Sequence, residues 1–73
     1  MKIKVSAIHY KDPDYSTPLF WANSKKELVK KIKLLDTKEH ILEYINLDNG
    51  EIFVSAGDDL AIDRTASRLF PGE

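Results

Sequence analysis

The stretch Ser24-Lys-Lys-Glu-Leu-Val-Lys-Lys-Ile-Lys-Leu-Leu-Asp36 predicts a helix around which the rest of the chain is arranged. It begins with a capping box, because Ser24 can accept from a free N–H of the first turn while Glu27 reaches back to the N–H of Ser24. Apolar residues then recur at helical spacing, at Leu28, Val29, Ile32 and Leu35. We therefore expect a helix from Ser24 to Asp36 whose apolar side packs on a core.

The opposite side of this helix is basic. Three lysines recur at i, i+4 and i+7, and we call Lys26, Lys30 and Lys33 the lysine stripe. Clustered positive charge suits contact with phosphates or with an acidic protein surface. A helix face that meets only water also carries lysines at this spacing, so the spacing leaves both interpretations open.

Charge is distributed unevenly along the chain. Residues 1–38 contain nine lysines and four acidic residues, a net charge of +5, whereas residues 39–73 contain two arginines and eight acidic residues, a net charge of −6. Such asymmetry suggests a surface for a charged partner. The alternative is that the two halves lie together in space and neutralise each other.

Two strands are expected before the helix. Lys2 to Tyr10 alternates in part and is rich in β-branched residues, and Thr17 to Ala22 forms a second apolar run with Pro18 near its start. Turn residues lie between them, including Pro13. We expect a hairpin with a long connection.

A second hairpin is predicted from Ile41 to Ala56. Asp48-Asn-Gly-Glu51 places Asn-Gly at the centre of a two-residue type I′ turn. The expected pairs are Leu47 with Ile52 and Ile45 with Val54 on an aliphatic face, and Asn46 with Phe53 and Tyr44 with Ser55 on the other. We expect the aliphatic face to pack on the helix. The face with Tyr44 and Phe53 is then either covered by the C-terminal segment or free as a contact surface.

The C-terminal segment predicts a short second helix, with an irregular tail as the alternative. Asp58 and Asp59 suit its N-terminus, Pro71-Gly72 ends it, and its apolar residues recur at helical spacing, at Ile62, Ala66, Leu69 and Phe70. The expected fold is one α+β domain over residues 1–73, with the element order ββαββα. Two antiparallel hairpins share one sheet, and the central helix packs across it.

The residue inventory does not suggest an enzyme. There is no cysteine, no phosphate-binding glycine loop and no zinc-binding histidine motif, and His9 and His40 lie in different elements. Turn formation and capping account for the clustered carboxylates. We therefore expect no catalytic residues, no metal and no cofactor. No apolar run approaches the roughly 20 residues of a membrane span, so we expect a cytoplasmic protein with no membrane contact.

In size and element order the chain resembles small phage- and plasmid-borne inhibitors of host defence (anti-CRISPR proteins among them), immunity proteins and antitoxins. The resemblance rests on layout and transfers no residue. It implies an inhibitory protein-binding module, and the charge pattern suggests a nucleic-acid-processing enzyme as its target. The expected partner-binding residues are Lys26, Lys30, Lys33, Tyr44 and Phe53. The alternative is a small nucleic-acid-binding protein that uses the lysine stripe. The identity of the partner and the oligomeric state stay open.

Overall fold

The computed structural model describes residues 2–8 and 14–72. Its elements are β1 (Ile3–Ile8), β2 (Ser16–Ala22), α1 (Lys25–Lys33), β3 (Ile41–Asn46), β4 (Ile52–Ala56) and α2 (Asp59–Leu69). The predicted α+β class and the order ββαββα are therefore confirmed. The predicted end of the first strand at His9 and Tyr10, and the turn through Pro13, lie outside the described residues.

The strands form one antiparallel sheet in the order β2-β1-β3-β4. Each antiparallel pair, β1 with β2 and β3 with β4, supplies one central strand and one edge strand. The central strands β1 and β3 pair antiparallel, with Ile3 opposite Asn46 and Ile8 opposite Ile41. The first hairpin therefore meets the second through the first strand of each.

The two halves of the chain repeat the same ββα unit. In each half a single residue separates the end of the edge strand from the helix N-cap, Ser24 after Ala22 and Asp58 after Ala56. The antiparallel pairing of β1 with β3 relates the halves by an approximate two-fold axis normal to the sheet. The amino-acid sequence carries no visible repeat, so the symmetry belongs to the topology.

The helices lie side by side on one face of the sheet, α1 against β2 and α2 against β4. Each helix therefore covers its own half of the sheet. We expected α1 to pack across the whole sheet, and it does not. The buried core between the two layers is formed by Ile3, Val5, Ala22, Leu28, Ile32, Leu42, Tyr44, Ile62, Ala66, Leu69 and Phe70. No helix within the described ranges is long and apolar enough to cross a membrane.

Helix α1 begins as predicted, with one difference. Ser24 Oγ accepts from the N–H of Glu27 at 3.1 Å, but Glu27 Oε1 accepts from the N–H of Asn23 at 2.9 Å and not from that of Ser24. The helix ends at Lys33, three residues before the predicted end. There the N–H groups of Leu34 and Leu35 bond to carbonyls three residues back, which tightens the final turn.

The apolar side of α1 is only partly in the core. Leu28 and Ile32 are fully buried and Val29 is half-buried, as expected for core positions. Leu35 is 44 % exposed, so its predicted place in the core is wrong. It lies one residue beyond Leu34, the C-cap, whose backbone is still helical, so the 3.6-residue period no longer sets the direction of Leu35.

The predicted register of the second hairpin is wrong by two residues. Tyr44 pairs with Phe53 and Ile45 with Ile52. The N–H of Asn46 donates to the carbonyl oxygen of Glu51, which leaves a four-residue loop, Leu47 to Gly50. A type I′ turn requires positive φ at both central residues, and here only Gly50 has it, at 77°. The Oδ1 atom of Asn46 accepts from the N–H of Asp48 at 2.9 Å and stabilises the longer loop.

The predicted orientation of this hairpin is also wrong. Leu42 and Tyr44 are fully buried under the helices, whereas Ile52 and Val54 are 58 % and 59 % exposed. Tyr44 on β3 pairs with Val5 on β1, which is also fully buried. The face with Tyr44 and Phe53 therefore joins the larger apolar surface, and the aliphatic face is left uncovered.

Helix α2 covers the face with Tyr44 and Phe53, for which the sequence allowed either cover or exposure. Its four predicted apolar residues, Ile62, Ala66, Leu69 and Phe70, are all buried. Asp58 is its N-cap, since Oδ1 accepts from the N–H of Ala61 at 2.9 Å. The C-terminal segment is thus a helix and not an irregular tail.

Candidate functional site

The lysine stripe lies on the solvent side of α1, as its spacing predicted, but its members differ in their surroundings. Lys33 Nζ lies 3.8 Å from Asp63 Oδ1 on α2, so this lysine is partly neutralised where the helices meet. Lys26 and Lys30 are exposed and make no ion pair within the described part of the chain. The basic and acidic halves therefore neutralise each other only partly.

Lys31, beside the stripe, braces α1 against β2. Its Nζ donates to the carbonyl oxygen of Trp21 at 3.1 Å, lies 3.9 Å from Glu27 Oε1 and stands 5.8 Å from the ring centroid of Phe20. These contacts give Lys31 a structural role, because its ammonium group already contacts a carbonyl, a carboxylate and an aromatic ring.

Leu34 is the functional candidate that sequence reasoning missed. It is 79 % exposed and lines a shallow depression of about 440 Å³ on the outside of α1, together with Lys26 and Lys30. The helical spacing could have identified it. Leu34 follows Leu28 by six residues, which is about 240° around a helix and places it on the side away from the core. We call Lys26, Lys30 and Leu34 the outer face of α1. It combines two free cations with an apolar side chain in water.

The second predicted contact surface, Tyr44 with Phe53, is divided in this fold. Tyr44 is fully buried, and its hydroxyl has no hydrogen-bond partner among the described residues. Burial of the phenol raises the pKa of Tyr44 above its usual range. Phe53 is half-buried, with the Arg68 guanidinium 5.6 Å from its ring centroid. The structure thus places Tyr44 in the core, with Phe53 packed against it.

An uncovered sheet face lies on the side opposite the helices, where sequence reasoning expected α1 to pack. We call it the open face. Its exposed large apolar residues in the strands are Trp21, Ile41, Ile52 and Val54, and half-buried Lys4 and Glu43 stand among them. An exposed apolar surface of this kind is typical of a site that another molecule contacts.

Within residues 2–8 and 14–72, no three histidine or acidic side chains come together in a way that could hold a metal ion. A comparison of the chain with protein-family models, with curated proteins and with solved structures finds no match in any of the three.

Proposed function

We propose that this chain is a small protein-binding module that contacts its partner through the outer face of α1. We further propose that it inhibits or regulates a nucleic-acid-processing enzyme. The observation that carries the proposal is Leu34, 79 % exposed beside Lys26 and Lys30, which make no ion pair within the described part of the chain.

The combination of an apolar side chain with free cations favours a protein surface over a phosphate backbone. Burying a leucine side chain contributes about 1.5–3 kcal/mol, but only against an apolar surface, which a phosphate backbone lacks. The lysines add orientation and faster docking on an acidic partner. Both parts of the outer face are then used in one contact.

The charge distribution supports the choice of partner class. Enzymes that process nucleic acids carry clustered carboxylates for metal ions and basic channels for phosphates. The chain presents lysines on α1, while residues 39–73 carry eight of its twelve acidic residues. The resemblance in layout to small inhibitors of host defence supports the same class of partner by analogy.

The second candidate function is nucleic-acid binding through the same lysines. The observation in its favour is that Lys26 and Lys30 lie one turn apart and make no ion pair with any described residue. Phosphate binding through few lysines must fall with salt, and it gains nothing from Leu34. The two functions therefore differ in their response to salt and to a change at Leu34.

The test is affinity capture from a bacterial lysate with tagged wild-type chain, with Lys26→Glu/Lys30→Glu and with Leu34→Ser. Captures are run with and without nuclease, at low and at physiological salt. Controls are Lys2→Glu/Lys38→Glu, which has the same net charge, and Leu47→Ser, a leucine 48 % exposed beyond β3. The expected result is a discrete protein that both α1 variants lose and both controls keep. Recovery of nucleic acid that Leu34→Ser retains would establish the second function instead.

A further inference from the structure

Strand β4 is an unprotected edge of the sheet. The other edge strand, β2, carries Pro18 and pairs with β1 through a register shift at Val5/Ser6, two devices that discourage added strands. Strand β4, Ile52–Ala56, has no proline, no charged residue and no register shift against β3. Only the β2 edge therefore carries features that discourage pairing with an added strand.

The outward hydrogen-bonding groups of β4 follow from its register. The N–H of Asn46 donates to the carbonyl of Glu51 at 2.8 Å, so hydrogen-bonded pairs alternate from there along the hairpin. Phe53 and Ser55 point their backbone groups to β3. The backbone groups of Ile52, Val54 and Ala56 therefore point outward, where a fifth strand would pair.

A groove runs beside this edge, between β4 and α2. Its volume is about 360 Å³, and its walls include Phe53 from the strand and Leu60, Ala61, Arg64 and Arg68 from the helix. Arg64 and Arg68 are the only arginines in the chain, and both are exposed. Side chains of an added strand that point to the helix side would enter this groove.

We propose that the β4 edge and this groove bind an extended acidic segment of another protein as a fifth strand. Its backbone pairs with the outward groups of Ile52, Val54 and Ala56. Its acidic side chains alternate into the groove and reach Arg64 and Arg68, where bidentate pairing with carboxylates is strong. Its intervening apolar side chains lie beside Ile52 and Val54 on the open face.

The charges in the groove select this occupant over a second copy of the chain. An antiparallel β4 pair centred on Val54 would present Phe53 and Ser55 of the copy to the groove, and neither is acidic. It would also bring the arginines of the two copies towards each other. Asp58, at the other end of the groove, already accepts from the N–H of Ala61 and caps α2. The site is distinct from the outer face of α1, so either can fail alone.

The probe is a fluorescent, end-blocked heptapeptide of alternating valine and glutamate, measured by anisotropy and by amide NMR. We expect saturable binding, with shifted amide signals at Ile52, Val54 and Ala56. Arg64→Ala/Arg68→Ala should weaken binding by about tenfold or more, since it removes both charge-assisted pairs. The matched control Lys26→Ala/Lys30→Ala, which removes equal charge from α1, should change it by less than about twofold.

Val54→Pro tests the backbone pairing, because it removes an outward N–H that the fold does not use. Its thermal midpoint is measured first. A peptide N-methylated at alternate residues gives the same test without changing the protein. The Val54→Pro protein should not bind the glutamate peptide, and the wild-type protein should not bind the N-methylated peptide. A peptide with lysine in place of glutamate should not bind either.

The proposal is overturned if the glutamate peptide does not bind, if it binds the arginine variant equally well, or if the N-methylated peptide still binds. It is overturned in favour of self-association if the wild-type chain alone forms a dimer that Val54→Pro dissociates. Preferential displacement of the peptide by single-stranded DNA would assign the arginines to phosphates instead.

Discussion

The side-chain hydroxyl of Thr37 donates a buried hydrogen bond of 2.9 Å to the carbonyl oxygen of Gly57. Thr37 lies in the connection from α1 to β3, and Gly57 lies between β4 and α2. The backbone of this connection therefore packs directly against Gly57. A Cβ atom at this position would overlap the carbonyl oxygen of Thr37 and lie 2.8 Å from that of His40.

We expect Gly57→Ala to lower the free energy of unfolding by about 3 kcal/mol or more, because two backbone carbonyls must move to admit the methyl group. Urea denaturation of purified protein measures the loss. The control is Gly50→Ala, which adds strain at a positive φ of 77° but meets no atom within 4 Å. That variant should lose only about 1–2 kcal/mol. An equal loss in the two variants would contradict the close packing at Gly57.

Leu28→Ala and Ile32→Ala should each lower the free energy of unfolding by about 2–5 kcal/mol, since both side chains are fully buried between α1 and the sheet. Leu34→Ala, on the outer face of the same helix, should change it by less than about 0.5 kcal/mol. Thermal unfolding followed by circular dichroism compares the three. A smaller loss at Leu28 than at Leu34 would mean that the helix is rotated.

Tyr44→Phe should raise the free energy of unfolding by about 1 kcal/mol, unlike most changes at a fully buried position. Its hydroxyl is buried without a hydrogen-bond partner among the described residues, and leaving such a group unpaired costs about 1–3 kcal/mol. Ser6→Ala removes the other such hydroxyl and should not destabilise. Denaturant midpoints decide the matter, and a loss above about 1 kcal/mol in Tyr44→Phe would reveal a partner for the phenol.

Alkaline pH should destabilise the wild-type chain more than Tyr44→Phe. The pKa of Tyr44 is raised in the folded state by burial, so only the unfolded chain releases this proton once the pH passes its ordinary value near 10. The contribution is complete below that pH and is lost above it, by up to about 1.4 kcal/mol per pH unit. Unfolding free energies of both proteins at about pH 8 and about pH 11 measure the difference. An unchanged difference between them would show that the phenol ionises without unfolding.

Local signals predicted the elements well, because each depends on neighbours in the sequence. The capping residues Ser24 and Asp58 and the buried series from Ile62 to Phe70 were all visible before folding is considered. The hairpin register was not, because Asn49-Gly50 fits a two-residue turn as well as a four-residue loop. The choice depends on the side chain of Asn46, which closes the longer loop.

The orientation of the sheet could not be predicted, because β3 and β4 are apolar on both sides. Ile45 with Ile52 and Tyr44 with Phe53 are each a plausible core pair, so a period of two separates the faces without saying which one meets the helices. The same ambiguity placed Tyr44 in the candidate contact surface. The lysine stripe was predicted correctly in position, but the ion pair of Lys33 with Asp63 depends on contact between the two helices.

The pairing of β1 with β3 has a consequence for synthesis on the ribosome. The ladder joins Ile3 to Asn46 and Ile8 to Ile41, residues that lie far apart in the chain. Until β3 emerges, the inner edge of β1 has no partner strand, although α1 already packs on β2 in the same half. The inner edge of β1 therefore stays open to chaperones or to other chains until Ile41–Asn46 has been synthesised.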